Sequence, residues 1–365
     1  MRISASGSLD GLELRAAGLR DHPGKSPDQW YTAGTARTAM KTPARLVDYP
    51  VFFSGSHSPR LEVEHSGQDG ATMNLAQERL ANNREVAPSA GQDSWGGHTR
   101  NNVRWQVRRG DAAQVLMDFP ADSQQCVVTS PPYYWQRDYG VAGQLGKEKR
   151  IEEYVTSLAE IMDEVRRVLA PDGLLFLNLG DTYYSAKGQP KGPDRKNGAR
   201  RFGLRAVDAS GLGVSRKTTI GIPWRVAIEM ITRGWTLRCP IIWQREGAIP
   251  EPTAHDRPWR TYEMVFMFSK SPRYFFCREA LKGEEDIWRI SSRAKGTNGV
   301  HYAPFPDALV DRCLNVGCPV GGTVLDPFAG SGTVLRVAVR SGRPATGIDL
   351  SDKFCRFMAD QLGKL

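Results

Sequence analysis

The sequence predicts an α/β protein built on a mostly parallel sheet with helices over both faces. Three observations predict it. From about residue 103, short apolar and β-branched runs alternate with stretches of helical periodicity. Two turns of unusual composition, "TSPPYY" (129–134) and "DPFAGSGT" (326–333), each follow an apolar run directly. The chain has 365 residues, 40% of them hydrophobic and 24% charged, which is soluble globular usage with room for a sizeable core.

The elements follow in order. "VRWQVRRGDAAQVLMDFP" (103–120) reads as strand, turn and short helix. "CVVTS" (126–130) is a strand running into the first unusual turn. In "IEEYVTSLAEIMDEVRRVLAPDG" (151–173), Tyr154, Leu158, Ile161, Met162, Val165 and Leu169 recur at helical spacing, and Pro171 with Gly173 ends the helix. "LLFLNLGD" (174–181) is a buried strand. "IPWRVAIEMITRGW" (222–235) is a helix with Pro223 near its start and Gly234 at its end, and "LRCPIIWQ" (237–244) follows as a strand. "PDALVDRCLNVG" (306–317) is a helix. "GTVLDPFAGSGTVLRVAVRSG" (322–342) is strand, glycine turn and helix, and "ATGIDLS" (345–351) is a further strand.

Residues 1 to about 100 show no sustained period and read as a loosely ordered extension. No apolar run approaches the length of a membrane span, and "MRISASGSLDG" lacks the apolar stretch of a signal peptide. Six cysteines (126, 239, 277, 313, 318, 355) lie scattered without C-x-x-C pairs, which argues against a metal site or a disulfide framework and fits a reducing cytoplasm. The formal charge of +9 suits a polyanionic partner.

In open parallel sheets, ligands sit beyond the C-terminal strand ends. Both unusual turns are there. Gly330 and Gly332 let backbone approach a ligand closely at the start of a helix, and Asp349, about twenty residues on at the next strand end, suits the two hydroxyls of a ribose. The pattern is not G-x-G-x-x-G and has no P-loop lysine, so a nucleoside without pyrophosphate fits better than a dinucleotide.

"TSPPY" (129–133) together with "DPFAGSGT" resembles the S-adenosylmethionine-dependent DNA amino-methyltransferases, with the catalytic motif ahead of the cofactor motif as in the beta class. "RRGDAAQVL", "LAPDGLLFLNLGD", "GIPWRVAIEMITRGWTLRCPIIWQREGAIPEP" and "HYAPFP" sit in family order, and the resemblance spans roughly residues 103 to 360. It implies a Rossmann-like, seven-stranded, mostly parallel sheet and methyl transfer from S-adenosylmethionine to an exocyclic amine in double-stranded DNA. Serine at the first catalytic position points to N4 of cytosine, with N6 of adenine as the alternative. A methylase fold retained only for DNA binding is the alternative of another class, against which the intact motifs speak. A cognate restriction endonuclease would be a natural partner.

The chemistry explains the turn. An aromatic amine is a poor nucleophile until its hydrogens are accepted and its lone pair localises. Ser130 can accept one hydrogen and the Pro131 carbonyl the other, since Pro131–Pro132 stiffens the backbone and offers no N–H. Tyr133 gives an extruded base a flat face to stack on. The resemblance assigns Asp326, Pro327, Phe328, Gly330, Gly332 and Thr333 to the cofactor loop and Asp349 to the ribose. It also assigns Asp111 to the adenine amino group, and His301 and Phe305 to the methionine end.

From Thr182 to Ile220 nine Lys or Arg face two Asp, a net +7 in one Gly-rich insertion after a strand end. Lys187, Lys191, Arg195, Lys196, Arg200, Arg201 and Arg205 are its candidate phosphate contacts. "EEDIWRISSRAKGTNG" (284–299) is the candidate target-recognition segment. No cysteine is placed as a nucleophile, since Cys239 in "RCPII" reads as a strand residue. Cys126→Ala and Cys239→Ala are therefore expected to keep methylation activity. A folded, cofactor-binding but inactive Cys→Ala protein, scored by tritiated-methyl incorporation, would instead indicate a covalent mechanism.

Overall fold

A computed structural model of the chain describes residues 93–188, 205–247, 251, 254–292 and 306–365. The sheet is nine-stranded among these residues, two more than the seven expected. Its strands are β1 Ser94–His98, β2 Arg104–Arg109, β3 Gln124–Thr129, β4 Leu169–Leu179, β5 Thr236–Glu246, β6 Tyr262–Ser269, β7 Ile287–Ser291, β8 Val324–Asp326 and β9 Ala345–Asp349. They lie in the order β1-β2-β9-β8-β3-β4-β6-β5-β7. β1 pairs antiparallel with β2, and β6 runs antiparallel to both β4 and β5. All other pairings are parallel.

The additions have simple causes. β1 comes from "SWGGH", inside the extension expected to be loosely ordered; its glycines erase the alternation that would mark a strand, yet Gly97 lies against the Trp105 indole where a Cβ would sit only 3.1 Å away. β6, "YEMVFMFS", is apolar and buried on both faces from Met264 to Phe268 and carries no period to read. β7 takes up part of the segment expected to read DNA, and buries Trp288 and Ile290.

Among the described residues six α-helices cover the sheet, three to a face. α1 (Ala112–Met117), α2 (Ile151–Val168) and α3 (Ile222–Thr232) pack on one side, with Leu116, Tyr154, Leu158, Met162 and Val226 in one buried cluster. α4 (Asp307–Gly317), α5 (Thr333–Arg340) and α6 (Asp352–Leu362) cover the other, with Val310, Leu314, Leu335 and Met358. Alternation along each strand sends Leu175 and Leu177 to the first cluster and Leu174 and Phe176 to the second, which is why these strands read as continuously apolar. α2 ends at Val168, three residues before the expected stop at Pro171. Pro171 and Gly173 lie inside β4, where pairing passes from Gln124↔Leu169 to Cys126↔Leu174 and the residues between leave the ladder, as a proline and a glycine allow. Among the described residues no helix is long and apolar enough to cross a membrane.

The chain leaves β3 for β4 on one side and β8 for β9 on the other. The crevice between β3 and β8 is therefore the switch point where a doubly wound sheet opens to a ligand. α4 closes on the sheet below it through Gly317, where a Cβ would lie 2.4 Å from the ring of fully buried Phe176. Gly317→Ala is expected to destabilise the protein by about 1–3 kcal/mol through overpacking, read as a lower urea midpoint with unchanged slope.

Candidate active site

One cavity of about 330 Å³ opens at the switch point. Ser130, Pro131, Pro132 and Tyr133 from the turn after β3 line it together with Asp326, Pro327, Phe328, Gly330 and Thr333 from the turn after β8. Asp349 at the end of β9 and Asp111 after β2 complete that side. Four strand ends thus converge on one space, as parallel strands must.

The glycine turn is shaped by backbone and carboxylates. Gly330 (φ +52°) and Gly332 (φ +78°) both lie in the left-handed region, and a Cβ on Gly332 would strike Met358 at 2.7 Å. Asp349 holds the turn: Oδ2 accepts the Gly330 N–H at 2.9 Å and Oδ1 the Ser351 N–H at 2.8 Å. Asp326 Oδ1 accepts the Thr129 hydroxyl at 2.7 Å and the Phe328 N–H at 3.1 Å. Burial pushes the Asp326 carboxyl up to about 7 against these two hydrogen bonds, and the Asp349 charge adds to the rise. Burial likewise raises Asp349 to about 6, opposed by its two backbone donors. Asp111 has a second task, since its Oδ1 caps α1 by accepting the N–H groups of Ala113 and Gln114 at 3.0 and 3.4 Å.

The proline turn is pinned from below and from the side. The Tyr154 hydroxyl, buried on α2, donates to Pro132 O at 2.9 Å, and Tyr134 packs against the Tyr154 ring at a centroid distance of 5.4 Å. Trp135 takes a positive φ of 52° and ties its indole to Glu148 O at 2.6 Å. Tyr134 and Trp135 pack the loop. Gly180 lies against the Tyr133 ring, where a Cβ would sit 2.5 Å away, so the glycine makes room for the ring.

Two side chains missed in the sequence complete this half. The Tyr133 hydroxyl lies 2.7 Å from Glu263 Oε2 and 2.9 Å from Asn178 Oδ1. Ser130 Oγ lies 3.1 Å from Tyr133 Oη and 3.3 Å from Asn178 Oδ1. Asn178 is buried and fixed by its Nδ2, which donates to Met264 O at 3.1 Å. Glu263 Oε1 accepts from Arg245 Nη1 at 3.1 Å. Burial, and then the Glu263 charge, push the Tyr133 phenol well above its ordinary range, so it stays a protonated donor. The sequence signal for Asn178 was a lone polar residue inside "LLFLNL"; Glu263 heads the apolar run of a strand that was itself missed.

Other expected residues fall elsewhere. His301 and Phe305 lie outside the described residues, as do Lys191, Arg195, Lys196, Arg200 and Arg201. Lys187 is exposed. Arg205 is already engaged: Nε and Nη2 reach the two oxygens of buried Asp208 at 2.6 and 3.0 Å, so its fork braces the insertion instead of standing open to phosphate. The base of the insertion is a short ladder, with Tyr184 N donating to Thr218 O at 2.9 Å and Ile220 N to Thr182 O at 3.0 Å. Cys126 is buried in β3, and Cys239 is half-buried in β5, outside the cavity lining.

Asp326 carries a pH signature. Its folded pKa, near 7, lies above the 3.8 of an ordinary carboxyl, so the stability it contributes is complete below about pH 4 and lost as pH rises through 7. Asp326→Asn keeps an acceptor for Thr129 and removes the charge. Its unfolding free energy relative to the parent is expected to gain roughly 1–4 kcal/mol between pH 5 and pH 8, measured by urea titration at each pH.

Residues 124–360 match the DNA methylase family of N6 and N4 methyltransferases. The type II methyltransferase M.XycI of Xanthomonas campestris pv. cyanopsidis is 39% identical over 262 residues, covering 69% of this chain and 86% of that protein. M.Cfr9I of Citrobacter freundii is 38% identical over the same shares, and M.SmaI of Serratia marcescens is 36% identical over 69% of this chain and 89% of its own. Among solved structures, the PvuII DNA methyltransferase (cytosine-N4-specific) superposes with a TM-score of 0.54 at 22% identity, over 70% of this chain and 85% of that one, which is a likeness of fold. With the Ser-Pro-Pro-Tyr turn ahead of the glycine turn and both lining one cavity, this chain belongs to the beta-class DNA amino-methyltransferases.

Proposed function

We propose that the chain methylates N4 of cytosine in duplex DNA, with S-adenosylmethionine as donor. The observation that carries the reading is the state of the Ser130 hydroxyl. Its one proton is directed to Tyr133 Oη or Asn178 Oδ1, because the amide oxygen can only accept. A Ser130 lone pair is then left to accept a hydrogen of an amine held beneath the turn, which localises the nitrogen lone pair for attack, and serine at this position points to N4 of cytosine. The Tyr133 ring, packed against Gly180 and anchored at its hydroxyl, supports stacking of an extruded base.

The other half of the cavity fits the donor. Its positive-φ glycine turn accepts no side chain at Gly332, and buried Asp326 and half-buried Asp349 are two carboxylates whose raised pKa values fall when a cation binds beside them. When bound there, the donor would supply a methyl group on a cationic sulfur. Asp349 would hold the ribose hydroxyls while keeping the Gly330 N–H in place, and Asp111 would stand near the adenine amine. Because both carboxylates must ionise to attract a cation, donor affinity is expected to rise with pH through 6 to 7.

Single-molecule sequencing of DNA from cells expressing the chain tests base and site together: N4-methylcytosine at a fixed sequence is expected, and N6-methyladenine would overturn the cytosine reading. By calorimetry, Asp349→Ala should weaken donor binding by about 1.5–3 kcal/mol, since it removes charge-assisted hydrogen bonds. Ser130→Ala and Tyr133→Ala should bind the donor almost normally and lose turnover. The reverse pattern would exchange the roles of the two turns.

A further inference from the structure

The connection from β5 to β6 carries a feature that neither the core nor the cavity uses. Its stretch Ala254–Thr261 is braced from several sides. The Arg257 guanidinium lies 3.8 Å from the centroid of the Tyr183 ring and pairs with Glu251 at 2.7 Å. Asp256 pairs with Lys217 of the basic insertion. Arg260 donates to Asp181 O and accepts on its own carbonyl from Arg245 Nη2 at 2.8 Å. Between the two stacked and bridged arginines stands Trp259. It is 49% exposed, and its indole makes a long bond to Ala254 O at 3.3 Å.

About half of this large flat ring is open to solvent, on a loop whose neighbouring side chains are all engaged. Its place is specific. Asp181 O, which Arg260 touches, also accepts from Gln136 Nε2 at 2.8 Å, and both Gln136 and Arg245 line the cavity. The loop that carries Trp259 therefore adjoins the cavity wall through Arg260, the next residue in the chain. Extruding a base leaves a gap in the duplex and costs a few kcal/mol of lost stacking. An apolar side chain entering the gap offsets that cost, and a rigid aromatic stacks on neighbouring bases of any sequence.

We propose that Trp259 is the wedge that fills the space vacated by the extruded base, an assignment that rests on the DNA methyltransferase activity proposed above. The brace matters to this role: Arg257 and Arg260 hold the loop in place before DNA arrives, so little ordering is left for the encounter. The partner is duplex DNA, met on the face where the basic insertion and the cavity mouth adjoin.

The test compares two duplexes that share the methylated sequence found by sequencing, one fully paired and one with a mismatch opposite the target base, which removes most of the extrusion cost. Trp259→Ala is expected to lose roughly 10- to 100-fold in kcat/KM on the paired duplex and to approach the parent on the mismatched one. Trp259→Phe, which keeps an aromatic ring, is expected to stay within a few-fold of the parent on both, and donor binding by calorimetry certifies the fold of each variant. An equal loss on both duplexes, or no loss on either, would overturn the wedge while leaving the activity in place. A folded parent that methylates neither duplex would overturn the activity and the wedge together.

Discussion

The hydrogen bond from Thr129 to Asp326, 2.7 Å long and fully buried, is the constraint on which the site depends. It spans the crevice between β3 and β8, the one place in the sheet where adjacent parallel strands send their chains in opposite directions. A carboxylate there is expensive, and the raised pKa of Asp326 is the measure of that cost. What it secures is distance. Thr129 is the last residue of β3 and Ser130 the next, so the bond fixes the proline turn against the glycine turn at their roots.

Strand direction supplies the remainder. Parallel strands deliver side chains to the site from their C-terminal ends, as β2, β3, β4, β8 and β9 do. β6 runs the other way and delivers from its beginning, so Glu263 reaches Tyr133 from the opposite side of the chain's path. The proline turn is consequently held by three different elements: Tyr154 of α2 from below, Asn178 of β4 from beside, and Glu263 of β6 from across. A loop rich in proline alone would be stiff without being positioned.

Legibility followed physical cause. The parallel strands and the helices over them could be read because burial on two faces leaves continuous apolar runs, and amphipathic helices leave a period. Asp349 and the two turns could be read because their chemistry is compressed into short contiguous stretches. β1 was hidden by Gly96 and Gly97, and β6 by having no period at all. Asn178 and Glu263 belong to the site only through partners far away in the chain; a lone polar residue in an apolar run marks the first, and nothing local marks the second. Arg205 sits in a basic run, and its pairing with Asp208 three residues on is not announced by that run.

The short ladder between residues 182–184 and 218–220 closes the insertion at its neck. Such a neck makes the loop beyond it a cassette. Because the ends are already joined, changing its length alters closure entropy only slowly, by about 0.6 kcal/mol per doubling. The catalytic strands on either side need not register the change. A segment joined in this way can change in size and charge while the strands that carry the cavity keep their places, so one part of the chain is free to vary without redesign of the rest.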